Sequence, residues 1–453
     1  MYLSKNPFTG IVEKEFDVIT NEQLQTQLEL SQQAFNSWKN TPYSTRSKLL
    51  FKMADLLEER ADQYGRLIST EMGKPIKQSV GEVEKCAWVC RYYAESGADF
   101  LNARILESTA VESQLIYEPM GTIFAVMPWN FPFWQVFRFI APCIMAGNVG
   151  LLKHASNVPR CALAIEQVFI DADAPQGLFR NLFINHQQVE LEIASPIVKA
   201  ITMTGSNKTG SIIASIAGKY AKKTVLELGG SDAFIVFDDA DMHSALQQAL
   251  LSRFLNSGQS CIAAKRFIVH ESIADEFVTN FQSLIENLVK GNPLDSETFI
   301  GPLVNEMAMK DLEAQVTTSI SLGAKCLVGG EVCEFMRSVY EPTLLYDVPM
   351  ESQAWTDELF GPVAVVRFFD SDEEAIALAN DSQFGLGASI WTTDMDRAAW
   401  ISQQLQVGTV AINGMVKTEP GLPFGGTNQS GYGRELGELG LHEFMNIKTV
   451  SYF

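Results

Sequence analysis

The chain is short of positive charge. Its 34 lysines and arginines face 54 aspartates and glutamates, a formal net charge of -20 over 453 residues. That balance argues against nucleic acid or an anionic membrane surface as partner, since either would be repelled. An anionic small molecule would be repelled as well unless its site supplied a local cation. Histidine is scarce, five in all, and the seven cysteines (86, 90, 143, 161, 261, 326, 333) are scattered. Cys86 and Cys90 are spaced as neighbours on a helix, but no other cysteine pair or histidine cluster completes a zinc set, so no metal centre is expected. An odd, dispersed set of thiols fits a reduced, cytoplasmic protein better than a disulfide framework. No uninterrupted apolar run approaches the roughly twenty residues of a membrane span, and M-Y-L-S-K-N-P-F-T-G at the N-terminus has no apolar signal core. A G-x-G-x-x-G fingerprint, internal repeats and low-complexity segments are missing too.

What is present is an ordinary core-forming composition, 46% hydrophobic and 19% charged, in a chain long enough for two or more structural units. The first third reads mostly helical. Leu24, Leu28, Ala34, Phe35 and Trp38 recur at helical spacing after Asn21, read as the N-cap. A second helix from Ser44 runs to the Gly73-Lys74-Pro75 stop, and a third spans Val80 to about Ala103, its Trp88, Tyr92 and Tyr93 read as core. Residues 113–117 alternate like a hairpin strand. From Ile123 onward short apolar strands alternate with helices, at 123–127, 149–153, 182–184 and 200–203. After Gly229-Gly230 the alternation restarts, with strands at 233–237, 267–269, 363–368, 388–391 and 409–412. This is the pattern of parallel sheets covered by helices, two α/β domains joined near Glu227–Gly230.

Within that frame the turn N-S-G-Q-S-C-I-A-A-K-R, residues 256–266, stands out. Cys261 follows small polar residues and precedes an apolar strand, so no long side chain adjoins its thiol. A thiolate is a far better nucleophile at neutral pH than a hydroxyl. The alternative is a small buried apolar residue, as most free cysteines are.

Six motifs weigh on that choice: Pro128-Trp129-Asn130-Phe131-Pro132, Thr204-Gly205-Ser206, Glu227-Leu228-Gly229-Gly230, Gly258-Gln259-Ser260-Cys261, Glu358-Leu359-Phe360-Gly361-Pro362 and Pro423-Phe424-Gly425-Gly426. In this order the set resembles the NAD(P)-dependent aldehyde dehydrogenase superfamily over nearly the whole chain, with a shorter N-terminus than in many members. The resemblance implies an α/β, aldehyde dehydrogenase-like fold. A Rossmann-type dinucleotide domain would take residues 1–104 and 121–228, and an α/β catalytic domain 229–436. A small β oligomerisation arm would take 105–120 and 437–453, giving a homodimer or homotetramer.

It also implies roles. Cys261 would add to the aldehyde carbon, making an alkoxide that expels hydride. Asn130 and the Cys261 backbone N–H would hold that alkoxide. Glu227, between apolar neighbours, would activate water against the thioester with a raised pKa. Its alternative is an ion pair with Lys223. Members that pass the acyl group to coenzyme A generally lack this glutamate, so water is the expected acceptor.

The cofactor would be NADP or NAD. Its pyrophosphate would lie at the helix opened by Gly205 and Ser206, with Trp129 and Gly229 bordering it. Lys153 matches the residue on the adenine-side ribose. Ser156 stands where NAD-preferring members carry glutamate, and a hydroxyl there tolerates a 2′-phosphate. Glu358 matches the glutamate on the nicotinamide ribose, with Phe360 packing nearby.

The expected substrate is a small aldehyde, anionic at its far end, with Phe131 and Arg138 lining its site. Arg138 lies eight residues after Asn130, about two helical turns. Members that oxidise succinate semialdehyde carry arginine at the matching position for the distal carboxylate. A second arginine of some such enzymes is replaced here by Leu255, with Arg253, Lys417 and Thr418 close by. The reaction implied is NAD(P)-dependent oxidation of succinate semialdehyde to succinate. Another aldehyde, neutral or carboxylated, is the alternative, as is a salt bridge for Arg138. A non-catalytic structural protein keeping the fold is a further one, against which the intact Cys261, Asn130 and Glu227 count.

Overall fold

The chain, described from Met1 to Phe453 in a computed structural model, builds its layers on two parallel sheets. The first sheet has six strands in the spatial order Gly431–Tyr432, Lys223–Glu227, Val198–Thr204, Thr122–Met127, Val149–His154, Phe179–Asn181. All but Gly431–Tyr432 run parallel. Taken in chain order, the five parallel strands follow the 3-2-1-4-5 arrangement of a dinucleotide-binding half. Helices cover both faces, and the central strand Thr122–Met127 is buried at every residue.

The second sheet has seven strands, in the order Lys325–Val328, Thr343–Tyr346, Val363–Phe369, Ala264–His270, Asp232–Val236, Gly387–Trp391, Thr409–Ile412. Only Lys325–Val328 is antiparallel to its neighbour. The third sheet is a separate three-stranded ribbon. Glu112–Pro119 lies between Arg104–Leu106 and Met445–Tyr452, the last paired along its whole length. Ile105, Ile447 and Tyr452 on this ribbon are exposed. No helix is long and apolar enough to cross a membrane.

The N-terminal half departs from its sequence pattern in several places. Tyr2–Lys5 and Val12–Phe16 pair as a hairpin that the polar alternation did not suggest; it is anchored by Tyr2, whose hydroxyl donates to the Ile184 carbonyl at 2.8 Å. The first helix, Asn21–Trp38, is capped by Thr20 rather than Asn21, in a reciprocal box with Gln23. The second splits into Tyr43–Glu59 and Ala61–Met72, because Arg60 leaves the helical region (φ -109°, ψ 17°) while its side chain pairs with Asp171. The next helix, Ile76–Ser96, starts directly after Pro75, earlier than Val80. Trp88, read as core, is exposed, while Tyr93 is buried. The strand expected at 182–184 is Phe179–Asn181.

Candidate active site

Ligands in open α/β sheets bind beyond the carboxyl ends of the strands, where strand order reverses. Here the reversal falls between Thr122–Met127 and Val198–Thr204. The segments leaving those two strands are Pro128–Pro132 and Gly205-Ser206. Ser206 caps the helix Asn207–Lys219, leaving that helix's first N–H groups facing the crevice. A cavity of about 270 Å³ lies there, lined by Trp129, Asn130, Gly205, Ser206, Glu358 and Phe360, among others. Trp129 meets Phe360 edge to face at 5.7 Å. Gly229 also lines it, and a Cβ there would sit 2.5 Å from a Glu358 carboxylate oxygen, which would have to move aside.

A second cavity, of about 240 Å³, is lined by Phe131, Trp134, Arg138, Lys85, Thr418 and Phe424, among others. Cys261 and Gln135 line both cavities, so the thiol stands on their common wall. The turn that holds it there is heavily constrained. Asn256 (φ 56°), Ser257 (φ 54°) and Gly258 (φ 73°) are all left-handed, a conformation costly for the first two. Asn256 offsets the strain by donating to the carbonyls of Asn130 (2.9 Å) and Gln259 (3.0 Å). Ser257 bonds the backbone of Gly301, and a Cβ at Gly258 would strike the Gly361 carbonyl at 2.3 Å. Lys265 donates to the carbonyls of Ser260 and Cys261, both at 2.9 Å, and pairs with Glu358 at 3.4 Å.

Burial pushes the Cys261 thiol up to about 12, although Arg138 and Lys265 pull it the other way. The thiol is therefore protonated at neutral pH and needs a base to react. The Asn130 amide donates to the Gln259 carbonyl at 3.2 Å, and the Cys261 N–H makes no hydrogen bond within the protein. Two donors thus remain available beside the sulfur.

Glu227 ends its strand buried, with both carboxylate oxygens unpartnered. It does not pair with Lys223, which is bound to Glu443 at 2.7 Å. Nor does its side chain line either cavity: it faces the late loop, the segment that follows Thr409–Ile412, where a Cβ on Gly425 would lie 2.8 Å from one of its oxygens. Burial first, then the charge of Glu435, raise its pKa well above the usual carboxylate range. Arg138, on the helix Trp134–Ala146, is buried in an ion pair with Glu435 and still reaches the second cavity. Its ion pair, one of the alternatives considered, thus coexists with a position beside the thiol.

Of the remaining sequence candidates, Lys153 and Ser156 lie outside both cavities, at the end of the strand adjoining Thr122–Met127. Ser156 is exposed; the Lys153 ammonium rests on the His154 carbonyl (3.3 Å) and faces the Tyr2 ring. Arg253 does not replace the missing arginine, because its guanidinium is buried against the carbonyls of Gly258, Leu359 and Gly361. Lys417 is exposed and paired with Glu419, whereas Thr418 and Leu255 do line the second cavity. Sequence reasoning missed Lys85, Glu82 and Glu435. A lysine on an amphipathic helix looks like a solvated face, and only Glu435, two residues after the glycine-rich segment Pro423–Gly433, carried any local signal.

A glycine-lined helix start that fits a pyrophosphate, beside a thiol shared with a second cavity, is the arrangement of an aldehyde-oxidising, dinucleotide-using enzyme. The Aldehyde dehydrogenase family profile matches residues 2–450, and the chain belongs to that family. Among its relatives, a probable succinate-semialdehyde dehydrogenase [NADP(+)] of Synechocystis sp. is 48% identical over 445 residues, covering 98% of each chain. A succinate-semialdehyde dehydrogenase [NADP(+)] of Deinococcus radiodurans is 40% identical over all of this chain and 95% of its own. The crystal structure of succinic semialdehyde dehydrogenase from Streptococcus pyogenes, in complex with NADP+, superposes with a TM-score of 0.97 at 36% identity, covering 99% of each chain.

Proposed function

We propose that this protein oxidises succinate semialdehyde to succinate, using NADP and accepting NAD. The observation that carries the reading is the position of Cys261, on the one wall common to a dinucleotide crevice and a cavity containing Arg138. The names of the Synechocystis and Deinococcus relatives support the substrate and the cofactor. Arg138 presents a planar fork suited to a carboxylate. Ser156, in place of a carboxylate, leaves a 2′-phosphate unopposed.

The chain's residues then divide the work. Cys261 gives up its proton to water, and its sulfur bonds the aldehyde carbon. The alkoxide so formed accepts hydrogen bonds from the second N–H of the Asn130 amide and from the Cys261 backbone. When bound, the nicotinamide supplies the hydride acceptor. Loss of hydride leaves an acyl group on sulfur. Glu227, turned from the late loop toward the cavity, takes a proton from water as the water oxygen attacks the thioester carbon. The carbon–sulfur bond breaks, and the thiol is restored. Burial suits Glu227 to this role because a carboxylate whose pKa is raised is a stronger base.

Residues 1–104 and 121–228 form the dinucleotide domain in this reading, and 229–436 the catalytic domain. The ribbon of 105–120 with the terminal strand from 437–453 serves as an oligomerisation arm in a homodimer or homotetramer. Its exposed apolar residues and open strand edge support that role. Seven free cysteines fit a cytoplasmic location.

The test is a kinetic panel of succinate semialdehyde and short neutral aldehydes with both cofactors. A kcat/KM for the semialdehyde well above that for butanal, with NADP reduced, is expected. A preference for butanal would overturn the substrate. Turnover by Cys261→Ala would overturn the chemistry.

A further inference from the structure

The cavity beside Cys261 is lined by three cations, and only one lacks a carboxylate partner. Lys74 is paired with Glu82 and Arg138 with Glu435, both pairs buried. Lys85, on the helix Ile76–Ser96, has no ion pair. Its ammonium donates to the Thr418 hydroxyl at 2.7 Å and stands 4.3 Å from the centroid of the Trp134 ring. Thr418 and Trp134 are neutral, and both line the same cavity.

The difference matters for an incoming anion. A guanidinium already balanced by a carboxylate exerts a weak net field and offers mainly its remaining N–H donors. An ammonium held on a hydroxyl and an aromatic face keeps its full charge, in a setting where water screens it little. In a chain of net charge -20, that one unbalanced cation decides whether the cavity attracts or repels a carboxylate.

We infer that Lys85 is a specificity-determining residue, which binds the distal carboxylate of the aldehyde substrate jointly with Arg138 while Thr418 holds its ammonium in place. The inference deepens the proposed oxidation of succinate semialdehyde and rests on it. Lys85 supplies the charge and Arg138 the geometry. The same arrangement accounts for the absence of a second arginine, since Leu255 on this wall is apolar and Arg253 is spent on backbone carbonyls.

Lys85 also gives the preference a pH limit. Burial, aided by Arg138 on the facing helix, pulls its ammonium down to about 8; Glu82 and Cys86 on its own helix and Glu419 from the late loop act in the opposite direction. Glu419 is itself engaged by Lys417 at 2.7 Å. Lys85 is thus charged below that pH and neutral above it, and kcat/KM reports the free enzyme's titration.

The experiment measures kcat/KM for succinate semialdehyde divided by that for butanal, which has the same carbon count and no carboxylate. The quotient cancels the titrations of Cys261 and Glu227, which act on both aldehydes. In the wild type it should decline as the pH is raised through about 8. In Lys85→Met it should be about tenfold to a hundredfold lower at neutral pH, the scale of a charge-assisted hydrogen bond, and should no longer depend on pH. Lys85→Arg should keep the quotient high and move its decline to higher pH. A Lys85→Met quotient equal to wild type, or a flat wild-type profile, would overturn the inference; the profile needs no variant and decides even if Lys85→Met misfolds. A high quotient that ignores Lys85 would leave the proposed substrate standing and remove only this residue. A wild-type quotient below one would remove both.

Discussion

The Asn130 side-chain amide donates to the Gln259 carbonyl at 3.2 Å, two residues before Cys261. One hydrogen bond therefore ties the turn leaving the first sheet to the turn entering the second. The amide's remaining N–H is positioned by that tie.

Asn130→Ala should lower the rate of the hydride-releasing step by about 100- to 1,000-fold, the usual effect of removing one donor to a developing oxyanion. Pre-steady-state NADPH formation measures it. A loss of less than about fivefold would take Asn130 out of that role.

Glu227→Gln should give a burst of about one NADPH per site and then stall, because acylation precedes its water-activating step. In the wild type the steady rate should climb with pH, as a carboxyl held well above its usual range ionises. Stopped-flow traces across pH would show both. A normal steady rate in the variant would mean that deacylation uses another base.

Arg138 and Glu435 should be energetically coupled. Arg138→Leu leaves a buried carboxylate without its cation, a loss of about 3–5 kcal/mol in comparable cases. Adding Glu435→Gln should restore part of that stability, read from urea unfolding of both singles and the double variant. The double variant should still bind the semialdehyde poorly. Additive losses would show that the pair is not coupled.

Glu192 should make the protein less stable as pH rises. Its carboxyl is buried on the helix His186–Ala194 with both oxygens unpartnered, and burial pushes it up to about 8. The folded state therefore holds this proton more tightly than the unfolded chain. Stability from this group is complete below about pH 4.5 and is lost as pH climbs toward 8. Urea unfolding of Glu192→Gln against wild type should show a shallower decline over that window.

The residues that line the candidate site were largely legible as short motifs, because a turn that bends sharply beside a cavity leaves little freedom in its own residues. Cys261, Asn130, Gly205, Ser206, Glu358 and Phe360, each singled out by its motif, line one cavity together. Glu227 was readable as a buried carboxyl, but its turn toward the late loop was not, since that depends on Gly425 and Glu435 some two hundred residues away. The N-terminal hairpin left no pattern either, because its strands are short and it is anchored by one tyrosine against a distant carbonyl.

By itself the sequence determined the alternation of strands and helices, the turn that carries Cys261 and the glycines after the strands of the first sheet, all of which are written in local residue patterns. Only the tertiary structure decided which charges near the thiol are balanced. Lys74, Lys85 and Arg138 look alike along the chain; they differ because folding buries a carboxylate against two of them and a hydroxyl against the third, and in a poorly screened cavity that partner sets the net field.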